Sequence, residues 1–173
     1  MYQPIGVNPP LSHYTPPLRL EPEVDLPAAT LEPTEEPILL VENNQDDILL
    51  ILRAFQRAGV TRRIQTVTSG THAVAYLQGT QPYDDRQKYP LPILVLLDIM
   101  MPGMDGFDVL RWIRRQWEFF ELCVVMLTAS DRIRDATQAY HLGANSFLVK
   151  PLDFQNAGEL ARSLDVMLTR GHH

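Results

Sequence analysis

"LLDIMMPGMDG" (residues 96–106) carries an apolar run into a turn, and a carboxylate, Asp98, stands where the run stops. With the preceding "ILV" (93–95) it forms the most apolar stretch of the chain. A continuous run of this kind suits a parallel strand covered on both faces. It is read as the third of five strands and the centre of the sheet. Upstream, "ILLV" (38–41) is a second continuous run. "DDILLILRAFQRAG" (46–59) then places Ile48, Ile51, Leu52 and Phe55 at helical spacing, with Gly59 set to stop the helix. A strand in "RIQTV" (63–67) and a helix in "THAVAYLQ" (71–78) follow. "GTQPYDDRQKYPLP" (79–92), rich in turn residues and charge, reads as a surface loop.

Downstream of Asp98, Asp105 is placed to cap a helix whose apolar stripe is Phe107, Leu110, Ile113 and Trp117. "LCVVMLT" (122–128) is a fourth strand, "RIRDATQAYHLG" (132–143) a helix ended by Gly143, and "SFLV" (146–149) a fifth strand. A last helix over about 155–168 aligns Leu160, Leu164 and Leu168. Strands alternating with helices predict an α/β fold, a doubly wound five-stranded parallel sheet with five helices.

The chain has 173 residues, 45% of them hydrophobic, and a formal charge of −6, which suits one soluble domain with a sizeable core and spare chain. Nine of the 14 prolines fall in residues 1–37. Proline at that density removes backbone donors, so residues 1–36 read as a Pro-rich, disordered N-terminal extension, or as a docking arm through Leu11, Tyr14 and Leu18. The domain is expected over 37–169. Residues 170–173, "RGHH", read as a tail left by a tag. A single cysteine, Cys123, excludes an internal disulfide framework and suits a reducing cytoplasm. No apolar stretch reaches the ~18 residues of a membrane span. The acidic balance argues against a broad nucleic-acid footprint.

Open parallel sheets bind ligands beyond the carboxyl ends of their strands. Glu42 and Asn43 follow the first strand, Asp98 ends the third, Thr128 the fourth and Lys150 the fifth, so all five are expected at one edge. Carboxylates, an amide, a hydroxyl and an ammonium gathered there suit a divalent cation and a phosphoryl group, because Mg²⁺ takes a few hard oxygens and keeps several waters.

"LLVENNQDD", "LLDIMMPGMDG", "LTAS" and "FLVKP", in this order, resemble the CheY-like receiver domain of bacterial response regulators over about residues 37–169. The resemblance implies the flavodoxin-like receiver fold, Asp98 as the residue phosphorylated by a sensor histidine kinase, and Mg²⁺ held by Glu42, Asn43, Asp98 and the Met100 carbonyl. It implies that Lys150 pairs with a phosphoryl oxygen, and that Thr128 and Phe147 act as the switch pair. A cis peptide at Lys150–Pro151 is also common in the family. The chain would then be a phosphoacceptor rather than an enzyme with a substrate of its own. In the family, the side chains two positions after the aspartate and two after the threonine govern loss of phosphate. Here they are Met100 and Ser130, neither a good base, so slow loss is expected.

With five residues after Leu168, no helix-turn-helix output module is expected, and output would pass through a protein partner or a phosphotransfer protein. The long loop before the third strand is similar to that of the single-domain regulators serving bacterial phytochrome kinases. The face of the fourth helix, fifth strand and fifth helix, with Arg132, Gln138, Tyr140 and residues near Phe154, would dock partners or form a homodimer. One departure stands out. Receivers usually carry two acids after the first strand, and this chain has Glu42 followed by Asn43. Weaker metal binding and slower phosphorylation follow. The alternative reading is a pseudo-receiver scaffold that binds partners without phosphorylation. A flavodoxin-like or dehalogenase-like enzyme is disfavoured, because no glycine-rich loop follows the first strand and no aspartate lies two residues after Asp98.

Overall fold

The computed structural model describes residues 36–129, 133–152, 155, 157–160 and 162. The extension 1–35, Ser130, Arg132, Phe154, Leu164, Leu168 and the tail 170–173 lie outside the described residues. Within them the chain runs β1 (Ile38–Val41), α1 (Gln45–Arg57), β2 (Ile64–Val67), α2 (Gly70–Gln78), β3 (Leu94–Asp98), α3 (Gly106–Arg115), β4 (Cys123–Thr128), α4 (Ile133–His141) and β5 (Ser146–Val149). Helical residues at 155, 157–160 and 162 belong to a fifth helix, α5. The strands form one parallel sheet in the order β2-β1-β3-β4-β5, with β3 at its centre.

Alternation along the strands divides the core in two. Leu39, Val41, Val95, Leu97, Val124 and Met126 share one face with Tyr76 and Leu77 of α2, Val109, Leu110 and Ile113 of α3, and Ala139 of α4. Ile38, Leu40, Leu94, Leu96, Val125 and Leu127 share the other with Ile48, Ile51 and Phe55 of α1 and Ala157 of α5. Both faces of β1 and β3 are therefore buried, which is why those strands are apolar at every position except Asp98.

Capping residues set where the helices begin. The Asn44 side chain accepts from the backbone N–H groups of Asp46 and Asp47, and Ser69 does the same for His72. Asp105 and Asp108 form a reciprocal capping box at the start of α3. α2 ends at Gly79, whose φ of 68° is open to glycine at little cost.

Two expectations change. Trp117 does not belong to the α3 stripe: the helix ends at Arg115, Gln116 turns extended, and Trp117 opens a short 3₁₀ turn with 85% of its surface exposed. The helical phase is lost one residue before it, so its spacing from Ile113 no longer places it on the buried face. Residues 79–92 are exposed in part but packed in part. Tyr83 and Tyr89 meet at 5.1 Å between ring centroids and both lie against buried Tyr76, whose hydroxyl donates to the Pro90 carbonyl at 2.8 Å. Arg86 donates to the carbonyls of Tyr76, Leu77 and Tyr89, fastening the segment to the end of α2.

Candidate functional site

The last residue of β3, Asp98, is only 2% exposed, and Glu42 after β1 and Thr128 at the end of β4 are as deeply buried. Asp98 stands in register with Leu127, so Thr128 lies one residue beyond it on the neighbouring strand. The Lys150 backbone N–H donates to the Thr128 carbonyl at 2.7 Å, which brings the lysine to the same edge. The Lys150–Pro151 peptide is cis, as the resemblance implied.

From there the Lys150 ammonium donates to Glu42 Oε2 at 2.8 Å and to Asp47 Oδ2 at 2.7 Å, and lies 3.0 Å from Asp98 Oδ1. The contact with Asp98 is an ion pair rather than an aligned hydrogen bond. Asp98 Oδ1 is buried without a hydrogen-bond partner. Glu42 is fastened further by the Asn44 N–H, which donates to its Oε1 at 2.9 Å.

Asp47 was not singled out in the sequence, where Glu42 and Asp98 stood as the only carboxylates of the site. The missed signal is positional. Asn44 caps α1, so Asp47 falls in the first helical turn, where acids favour the helix dipole, and that turn starts at the strand edge holding Glu42.

Burial raises the Asp98 carboxyl from 3.8 to about 6; the nearby Lys150 ammonium opposes the shift, and the Glu42 and Asp47 charges add to it. For Lys150 burial acts downward, but the hydrogen bonds to Asp47 and Glu42 and the close charge of Asp98 outweigh it and hold the ammonium above its usual range. The lysine is therefore charged throughout the physiological range.

The turn after Asp98 is rigid for reasons of space. A Cβ on Gly106 would run into the Asp98 carbonyl oxygen and come within 2.8 Å of Ile99 Cα, while the Gly106 N–H donates to the Ile99 carbonyl at 3.0 Å. Gly103 takes a φ of +77°. Only glycine lets α3 start so close beneath the end of β3.

Among the other expected residues, Asn43 is exposed at the rim and Met100 is 74% exposed. Phe147 is half-buried against the core layer of α2, α3 and α4. A hard divalent cation suits this donor set, because the buried, unpartnered Asp98 oxygen lies among acidic oxygens that only one ammonium offsets. Among the described residues no three acidic, histidine or cysteine side chains are placed to hold a metal ion by themselves, because Glu42, Asp47 and Asp98 converge on the Lys150 ammonium.

The response regulator receiver domain model matches residues 38–162. The chain belongs to the receiver domain family. Its relatives include the probable methanogenesis regulatory protein FilR2 of Methanothrix harundinacea, 40% identical over 119 residues that cover 69% of this chain and 74% of that protein. Solved receivers of similar structure include the bacteriophytochrome response regulator AtBRR, with 35% identity and a TM-score of 0.67 over 76% of this chain and 93% of that one. The Mn²⁺-bound form of response regulator Rcp1 has 27% identity and a TM-score of 0.63 over 77% and 94%. This receiver spans about half the length of other curated relatives, such as 46% of the transcriptional regulatory protein TcrA of Mycobacterium tuberculosis. Among the described residues of the receiver no helix is long and apolar enough to cross a membrane.

Proposed function

We propose that this receiver accepts a phosphoryl group on Asp98 from a sensor histidine kinase and signals through protein contacts. The observation that carries the reading is the buried Asp98 oxygen, unpartnered and 3.0 Å from the Lys150 ammonium. An Asp98 oxygen attacks phosphorus while the P–N bond to the kinase histidine breaks; with a proton on its other ring nitrogen, that histidine leaves as a neutral imidazole and Asp98 becomes an aspartyl phosphate. Lys150 offers its ammonium to a phosphoryl oxygen as a compact point charge, and the Thr128 hydroxyl at the neighbouring strand end donates to another. Glu42, Asn43, Asp98 and the Met100 carbonyl would hold Mg²⁺, which when bound offsets charge on the transferred group.

Similarity to bacteriophytochrome response regulators supports a phytochrome-type kinase as the donor. The face of α4 and β5, where Gln138, Tyr140 and Val149 are exposed, is the proposed surface for a partner or a second copy. The test is incubation with acetyl phosphate and Mg²⁺ followed by intact mass. A phosphoryl adduct is expected in the wild type and none in Asp98→Ala. An adduct that persists in that variant would overturn the assignment.

Asn43 favours a second reading, a scaffold that binds partners without phosphate. Absence of any adduct from acetyl phosphate or from a kinase, with partner binding intact, would select it.

A further inference from the structure

We propose that Asp47 is a positioning residue for the acceptor: it draws the N–H donors of Lys150 toward α1, so that Asp98 Oδ1 keeps an uncommitted lone pair. An ammonium has three N–H groups that diverge tetrahedrally. Two of them are directed by the bonds to Glu42 Oε2 and Asp47 Oδ2, at 2.8 and 2.7 Å. The third contact, 3.0 Å to Asp98 Oδ1, is not aligned as a hydrogen bond, and that oxygen has no partner although it is buried. Buried carboxylate oxygens are seldom left this way.

Glu42 alone would fix only one of the three donors, and its other oxygen is already engaged by the Asn44 N–H. Rotation about that single bond would bring a second donor onto Asp98. Asp47 prevents this because it approaches from the solvent side, with 31% of its side chain exposed against 1% for Glu42. Its own place is set by the Asn44 cap, which accepts from the Asp47 N–H at 3.2 Å. The result is an acceptor whose charge is offset by a nearby cation while its attacking oxygen is not tied up in a hydrogen bond.

The inference rests on Asp98 being the phosphoacceptor, and its test has one arm independent of that reading. In metal-free protein with EDTA, the Asp98 ¹³Cγ and Lys150 ¹⁵Nζ resonances are compared among wild type, Asp47→Asn and Asp47→Glu, with thermal melts to confirm folding. Asp47→Asn is expected to shift both resonances as Lys150 turns onto Asp98, and Asp47→Glu to return them toward wild type. In the second arm, labelling by acetyl phosphate at saturating Mg²⁺ is expected to slow on the order of tenfold in Asp47→Asn and to recover in Asp47→Glu. Resonances in folded Asp47→Asn that match wild type overturn the proposal, even if labelling slows. A wild type that takes no phosphoryl group overturns the functional reading instead, while the resonances still decide where Asp47 directs the lysine. Should Asp47→Asn fail to fold, Asp47→Ser at this half-exposed position gives the same comparison, with the same shift expected and the same null result fatal.

Discussion

At the amino-terminal edge of the sheet, Arg114 donates to the carbonyls of Gly143, Phe119 and Leu122 and to Asn145 Oδ1, all at 2.8 to 3.2 Å. At the carboxyl edge, Lys150 faces three carboxylates and leaves a buried oxygen of one of them without a hydrogen bond. Both cations sit among oxygens, yet they do different work. The arginine meets neutral carbonyl groups that need donors, ties α3 to the starts of β4 and β5, and has its charge solvated by their dipoles. The lysine meets more negative charge than it can offset, so the carboxyl edge keeps an unbalanced, buried carboxylate at a cost in stability. A planar guanidinium suits fixed carbonyl ends, whereas a mobile ammonium suits a site that must exchange partners.

Breaking the amino-terminal edge should have the largest effect on stability. Arg114→Ala leaves several carbonyls at the α3 end without donors and should cost about 3 kcal/mol in denaturant unfolding. Labelling of Asp98 in the folded fraction should be unchanged, because no Arg114 contact reaches the acceptor. A matching loss of labelling would show that the two edges are coupled.

The carboxyl edge should respond with the opposite sign. Asp98 has a folded-state pKa of about 6 against 3.8 in its ordinary state, so the fold favours its protonated form. The stability this group contributes is fully present below about pH 4 and is lost as pH rises through about 6. Asp98→Asn should therefore stabilise metal-free protein by about 3 kcal/mol at pH 7 and by less than about 1 kcal/mol at pH 4, while abolishing labelling. A gain that is equal at both pH values would show that burial, not ionisation, sets the cost.

A smaller change sharpens the same contrast. Asn43→Asp adds a carboxylate at the exposed rim and should tighten Mg²⁺ binding about fivefold, near 1 kcal/mol, by calorimetry. The tryptophans are unsuitable reporters, since Trp112 and Trp117 lie at the far end of α3. Equal affinities in the two proteins would mean that Asn43 is not a ligand.

Strand order of burial, helix starts and the strand-end residues could be read from the chain because each depends on local pattern. A run such as "ILLV" suits a strand covered on both faces, Asp105 and Gly59 cap or end helices through their own backbone neighbours, and parallel strands must deliver their last residues to one edge. Glu42, Asp98, Thr128 and Lys150 followed from that rule alone. Asp47, Trp117, Arg86 and Arg114 did not. Asp47 reads as an ordinary first-turn acid until Lys150, 103 residues away, arrives beside it. Trp117 fits a helical stripe until the helix stops at Arg115. The arginines look like surface charge until carbonyls from separate elements converge on them. In each case the deciding contact is long in sequence or hangs on one backbone turn, so the sequence by itself determined the layers and the edge at which the polar residues gather. Only the tertiary structure decided which charges meet there, because electrostatic partnership depends on distances that no local pattern encodes.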